Sequence, residues 1–445
     1  MATHSNEKQT STPLVNFIPI FQNFYRVYQE IQIITQHWIR ILNIKLGWIH
    51  DFDKLVVNYV MFFYFYFHLI TNVYLFITQV RKFFMLDVFR LSSKLLNTFA
   101  GHTGNVWSID YSTFGDDQFI CSGSHDKTIR VWDVDNNKQI QSFDGHSNIV
   151  ICVKFSQYYY YNYRLNVICF SSKDKTIRFW DFKNDQQLQV LDGHTGWIGG
   201  IEFSSFNNGR YLCSGSFDKT IRLWDVETSK LLHIFGEHKH CVRSVDISPL
   251  QSNNNKKNNN DDKNNIINLI GGNGYTICSG SYDRTIRICD IETTKQLLLI
   301  KGHENFVMSV KYGSNELVNT ILSGSHDKSV RLWDIRSGQQ TQVFNGHTNT
   351  VWAVEYSPFI VNNIEANCNS NIICSGSADS TIRFWDIRSN KKELYMIDGD
   401  KTEDNGISCF KFLLLKKKGR NNEKINNCGI NLCYGSYNGP IRVWG

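Results

Sequence analysis

The 445-residue chain has no phosphate-binding glycine loop, no cluster of residues at metal-ligand spacing and no flavin or nicotinamide fingerprint. Chemistry driven by a nucleotide, a metal or a redox cofactor has no foothold in it, and no cofactor is expected. No basic start leads into a short apolar core, so no secretory leader is expected. Neither sign of charge dominates: 47 Lys and Arg stand against 41 Asp and Glu, a net charge of +6. So mild an excess does not point to a polyanion, and no nucleic-acid partner is expected. Of the 12 cysteines, Cys428 and Cys433 lie close together but lack a zinc spacing.

What the chain does have is one phrase approached seven times, six of them clearly. The second half reads Ser-Gly-Ser-x-Asp-Lys-Thr-Ile-Arg-x-Trp-Asp, as in Ser122 to Asp133. The first half is an upstream Gly-His pair, as in Gly101-His102. Uninterrupted units run 44 residues, from His102 to His146, His194 to His238 and His303 to His347. A period of roughly 40–45 residues is that of a four-stranded propeller blade, which cannot bury its apolar faces alone. In the first unit Val106 to Tyr111, Phe119 to Ser122, Thr128 to Trp132 and Gln139 to Phe143 read as strands, and His125-Asp126-Lys127 as a turn. The seventh unit stops at Trp444-Gly445, after its third strand. Lys94 to Phe99, ahead of the first Gly-His, has the composition of the missing fourth strand. Residues 95–99 are therefore expected to pair with 441–444, closing a ring and removing an exposed edge.

With these motifs, residues 93–445 resemble the WD-repeat family. The resemblance implies an all-β, seven-bladed WD-repeat β-propeller, here preceded by an N-terminal extension of helical and hydrophobic character. It also implies a buried Ser, His, Asp and Trp chain in a regular blade. The first unit would use His102, Ser122, Asp126 and Trp132, and the third His194, Ser214, Asp218 and Trp224. The fifth would use His303, Ser323, Asp327 and Trp333, and the sixth His347, Ser375, Asp379 and Trp385. Ser, His and Asp together invite a hydrolase reading. Yet the set recurs, each copy with a Trp donor, whereas a catalytic constellation sits once in one cleft. A structural role is expected, and no enzyme. Three units depart: Phe170 replaces the second Ser, Cys289 and Glu237 replace the fourth Trp and Gly, and Asp400, Tyr434 and Asn438 stand at the His, Ser and Asp positions of the seventh.

Six cysteines (121, 169, 213, 278, 374 and 433) recur just before the second-strand Ser, where they read as small apolar packing. Free thiols favour a reducing compartment, so a cytoplasmic location is expected. The third-strand arginines (130, 178, 222, 287, 331, 383 and 442) are expected to pack between blades rather than bind phosphate. Insertions between first and second strands fall at 158–163, 252–265, 361–371 and 414–427. The Asn-rich 252–265 is expected to be disordered, and the last holds a small basic cluster at Lys416, Lys417, Lys418 and Arg420.

The family geometry also implies a partner-binding face opposite those insertions. The turns before the first strands would present Trp107, Ile151, Trp197, Arg243, Phe306, Met308 and Trp352. Those between second and third strands would present His125, Phe217, Tyr282 and His326. Aromatic, Met and Arg side chains are the usual anchors of protein interfaces. The expected partners are therefore proteins or peptides, gripped by a non-catalytic scaffold.

The first hundred residues lie outside the resemblance. Residues 1–13 are polar and expected to be disordered. In 14–50, Phe17, Phe21, Phe24, Tyr28, Ile31, Trp38 and Leu42 follow a spacing of three to four, that of an amphipathic helix. Residues 55–80 contain no Asp, Glu, Lys or Arg and are long enough to span a bilayer, which takes about 20 apolar residues. Arg81 and Lys82 would then hold the propeller on the cytosolic side. Polar residues such as Asn58, His68 and Asn72 dilute the stretch, which also reads as a buried or partner-facing segment, or as translated intervening sequence. If it spans, the alternative function is that of a membrane-tethered signalling subunit resembling the beta subunit of heterotrimeric G proteins.

Overall fold

A computed structural model of the chain describes residues 85–114, 117–248, 275–313, 317–358, 372–388, 393–414 and 430–445. Residues 1–13, 14–50, 55–80 and 252–265, and nearly all of the insertions at 361–371 and 414–427, lie outside them. The described strands form seven four-stranded antiparallel sheets. Each first strand packs on the first strand of the next sheet, and that of the seventh packs on that of the first, so the sheets are blades of a closed propeller.

Burial is graded outward within a blade. Second strands such as Thr276–Ser281 and Ile372–Ser377 are wholly buried. Fourth strands such as Lys230–Phe235 are mostly exposed, with only the last residue buried. The Gly of each Ser-Gly-Ser is explained by the neighbouring blade. A Cβ on Gly123 would lie 2.6 Å from a methyl of Val150 and 2.8 Å from one of Val153. On Gly215 it would meet Val242 and Val245 at 2.7 and 2.8 Å. Two branched side chains of the next first strand therefore rest directly on the glycine backbone, the close approach that sets blade spacing.

The ring is latched by its termini. Leu95–Phe99 runs antiparallel to Ile441–Trp444, with Leu95 opposite Trp444 and Phe99 opposite Ile441. Reciprocal backbone bonds between Lys94 and Gly445 extend the ladder, and Phe99 packs on Trp132 of blade one at 5.2 Å. A helix not anticipated from sequence, Met85–Ser92, precedes this strand. Its Leu86 and Phe89 are buried among residues of blades six and seven, Phe89 lying 6.2 Å from Phe384. The insertion at 158–163 is also helical, within Gln157–Tyr163.

The polar quartets form in blades one, three, five and six. In blade one, Trp132 Nε1 donates to Ser122 Oγ at 2.9 Å, Ser122 Oγ lies 2.8 Å from His102 Nε2, and His102 Nδ1 lies 2.8 Å from Asp126 Oδ2. The indole is only a donor, so the hydroxyl proton is free for Nε2 and the ring proton faces the carboxylate. The same three links join Trp224, Ser214, His194 and Asp218. They recur in Trp333, Ser323, His303 and Asp327, and in Trp385, Ser375, His347 and Asp379. Asp126 also accepts from Thr103 N, Thr128 N and Thr128 Oγ1, which ties the Gly-His turn to the turn between second and third strands.

The three irregular blades resolve the same demand differently. Blade four keeps His238, Ser279 and Asp283 linked without the indole. In blade two the ring of Phe170 meets His146 edge-on at 5.1 Å, His146 Nε2 has no partner, and Trp180 Nε1 turns to Asp185 instead. Blade seven corrects the expectation for Asp400. The acid in the centre is Asp404, fully buried, which accepts from Tyr434 Oη at 2.8 Å and Arg442 Nε at 2.7 Å. Asp400 instead caps the turn at Thr402 and Glu403. The third-strand arginines also differ from expectation. Five of them, Arg130, Arg178, Arg287, Arg331 and Arg383, bond within their own blade to the fourth strand, as Arg130 does to Gln139 at 2.6 Å and Arg331 to Gln340 at 2.8 Å.

Two predictions follow from this packing. Phe89→Ala should lower unfolding free energy by about 3–4 kcal/mol, read from chemical denaturation, because it empties a fully buried site between two blades. Stability should also fall with acid in two stages. Burial lowers His102, His194 and His303 below the ordinary 6.5 despite their aspartate partners. In Asp126, Asp218 and Asp327 burial pushes the carboxyl up, but the bonds from histidine and from Thr128, Thr220 or Ser329 outweigh it and hold it well below the ordinary 3.8. Every one of these groups binds protons more readily when unfolded, so its contribution is whole above its ordinary value and lost as pH falls through its folded one. The melting temperature should decline below pH 6.5 and again below pH 3.8; a flat profile between neutrality and pH 5 would contradict the buried neutral histidines.

Candidate partner-binding face

The Gly-His turns and the turns between second and third strands come together on one face of the propeller, and the structure divides the expected binding residues there into two sets. The first closes the inner mouth. Trp107 of blade one and Trp352 of blade six meet edge to face, centroids 5.3 Å apart. Both lie near the Tyr437 ring of blade seven, at 6.5 and 6.4 Å. Arg243 of blade four donates to Gly199 O and holds its guanidinium 5.9 Å from the Trp107 ring. These residues converge because the equivalent positions of blades seven and three are small, Ser408 and Gly199. Trp107 and Trp352, expected among the partner-binding residues, are half-buried and cover each other. Tyr437 had no such role in the sequence reading, although its position matches that of Phe217 and Tyr282.

The second set is an arc over blades two to five. Lys173 Nζ sits 3.5 Å above the Trp197 ring. Trp197 contacts Phe217 at 5.2 Å, and Phe217 contacts Tyr282 at 5.5 Å. Tyr282 and Phe306 stack nearly parallel at 4.4 Å, flanked by His240 on one side and His326 on the other. Trp197 is 39% exposed and its arc neighbours are half-buried, apart from the exposed His240 and His326. His125 is exposed on blade one, away from the arc, and Ile151 is half-buried in blade two. Met308 is corrected: it is 3% exposed and offers no surface.

Deeper in the centre lies a belt missed from sequence. The fifth residue of every first strand is charged: Asp110, Lys154, Glu202, Asp246, Lys311, Glu355 and Lys411. Lys154 and Lys311 both reach Glu202, at 2.7 and 2.9 Å, and Lys311 reaches Asp246 at 3.4 Å. Lys411 stands 3.9 Å from Asp110 and 3.8 Å from Glu355. Burial pushes Asp246 up to about 6, with Lys311 opposing and Glu202 and Glu355 adding to the rise. Burial also works against Glu202, but Lys154, Lys311 and Lys411 hold it well below the carboxylate range. A charged residue at the same register of all seven largely apolar first strands was the available signal. The carboxylates already face ammonium groups, and among the described residues no group of three or more His, Cys, Asp or Glu is placed to hold a metal. The quartet hydroxyls of Ser122, Ser214, Ser323 and Ser375 have no accessible surface, so no substrate carbonyl can reach them.

The comparisons agree with this architecture. The family model described as WD domain, G-beta repeat matches residues 93–133, 137–181, 185–225, 294–334 and 338–386. Each matched unit takes the fourth strand of one blade and the first three of the next; the unmatched stretches contain the irregular blades four and seven. The chain is 35% identical over 68 residues to Cell division control protein 4 of Saccharomyces cerevisiae, covering 15% of this chain and 8% of that one. It is 41% identical over 61 residues to Transcription initiation factor TFIID subunit 5 of Caenorhabditis elegans, covering 14% and 9%. It is 33% identical over 70 residues to COMPASS component SWD3 of Saccharomyces cerevisiae, covering 16% and 22%. The matches thus span less than a quarter of these relatives' own length. With seven closed blades, four complete quartets and five matched units, the chain belongs to the WD-repeat family.

Proposed function

We propose that this chain is a non-catalytic scaffold that holds an extended segment of a partner protein along the aromatic arc of blades two to five. One observation carries the reading: Trp197, Phe217, Tyr282 and Phe306 form an unbroken run of partly exposed rings on rigid turns. Rings held by packing lose little freedom on binding, which is what interface anchors require. Two of the similar proteins are named as a subunit of a transcription initiation factor and as a COMPASS component, in keeping with a role in complexes. The inaccessible hydroxyls argue against acyl-transfer chemistry. Substituting Trp197 and Phe306 together by Ala should remove the specific partners recovered by affinity purification while shifting the melting temperature little. A control substitution on the outer rim, Ile234→Ser, should leave them in place. Unchanged recovery with the double variant would defeat the reading.

A second reading is favoured by the uncharged stretch 55–80 followed by Arg81 and Lys82. It makes the chain a membrane-tethered subunit with its propeller in the cytosol, resembling the beta subunit of heterotrimeric G proteins. Among the described residues no helix is long and apolar enough to cross a membrane, and 55–80 lies outside them. Carbonate extraction should leave the full chain in the membrane pellet and release a chain starting at residue 91; release of both would exclude the tether.

A further inference from the structure

The turn between second and third strands places one residue in the left-handed backbone region in each of six blades. In blades one to five that residue is basic: Lys127, Lys175, Lys219, Arg284 and Lys328, with φ between 68° and 76°. Left-handed backbone costs a side chain with a Cβ roughly 1–2 kcal/mol, and Gly or Asn would adopt it more readily. The fold does not demand a cation there, because blade six uses a buried Ser380 and blade seven turns through Gly439. All five basic residues are exposed. Among the described residues none of the five side chains makes an ion pair, unlike Arg331 and Arg383 of the adjoining third strands.

The neighbouring acids are spoken for. Asp126, Asp174, Asp218, Asp283 and Asp327 sit one residue before these cations, with side chains only 6–9% exposed and bonded to histidine. Glu237 and Glu304 are exposed beside His238 and His303, and Lys239 is exposed beside the former. What a ligand can touch around the arc is therefore mainly cationic, although the recessed carboxylates keep the long-range field modest.

Resting on the reading above, we infer that the partner segment is an acidic peptide, its apolar side chains against Trp197, Phe217 and Phe306 and its carboxylates on Lys175, Lys219 and Arg284. A protein segment fits this surface better than a nucleic acid. A base needs an open ring face to stack on. Here one face of Trp197 is taken by Lys173, and Tyr282 and Phe306 cover each other. The recessed carboxylates behind the cations would also repel a continuous phosphate backbone, while a peptide can place isolated acids on single lysines.

The test is selection of a random peptide-display library on the full chain. Enriched sequences should carry Asp or Glu beside aromatic or branched apolar residues. Binding should weaken about tenfold when the acids become amides, and about tenfold for the K175E/K219E/R284E variant, each a loss of one charge-assisted contact or more. The variant should in turn accept the same peptide with its acids changed to Lys. Enriched peptides that are neutral or basic, yet lost in the Trp197 and Phe306 double variant, would overturn the acidic preference and leave the arc standing. Failure to enrich any peptide dependent on either set would overturn both. Tighter binding of a single-stranded oligonucleotide, or of phosphatidylserine vesicles, than of any enriched peptide would overturn the assignment to a protein segment.

Discussion

The fold depends on a mismatch between two ways of dividing the chain. A unit of sequence ends where its third strand ends, but a blade needs a fourth, and that strand belongs to the next unit. Every blade is thus completed by its successor, and the last is completed only by the first strand of the ring. The pairing of Leu95–Phe99 with Ile441–Trp444 is where that chain of obligations closes. Blades one, three, four and five also rest their second-strand glycine on two valines of the following first strand. An open array would expose one such apolar face at each end, together with a bare sheet edge.

Within this frame the polar quartets act as clamps between turns rather than as reaction centres. Their components are replaceable where the buried donors and acceptors still find partners. Blade four dispenses with the indole, and blade seven exchanges the whole set for Tyr434, Asp404 and Arg442. Blade two shows what an incomplete replacement costs: Phe170 fills the volume, but His146 Nε2 is left facing an aromatic edge. A buried nitrogen without a partner forfeits roughly 1–3 kcal/mol.

Local periodicity made the blades legible. Alternating β-branched residues, the Ser-Gly-Ser glycine and the Asp-Lys-Thr turn each report a backbone demand that lies within a few residues. Residue sets that depend on the ring were not legible in the same way. Trp107 and Trp352 are about 245 positions apart, and only closure brings blades one, six and seven together at the mouth. Asp404 escaped because alignment by spacing favoured Asp400, whereas burial selected the acid that Arg442 could reach. The helix Met85–Ser92 carries no repeat signal, and its docking residues, Leu86 and Phe89, are recognisable only once the groove between blades six and seven exists. The charged belt was the exception: its period stood in the sequence, but single charges in apolar strands look like noise until the strands are laid side by side.

The belt and the mouth together explain why the candidate site lies off the axis. Three lysines and four carboxylates largely neutralise each other in the centre, and the two indoles cover it on this face, so the axis offers little net charge. Blades two to five keep their aromatic turns unblocked because their inner positions hold Ile151, Gly199, Arg243 and Met308 instead of indoles. Arg243 leans inward toward Trp107, which leaves Phe217, Tyr282 and Phe306 to pack along the arc, with Trp197, His240 and His326 beside them. The arc is therefore a consequence of which blades received large inner residues. An interface built this way runs across several blades, and it suits a ligand extended along the surface better than one inserted down the channel.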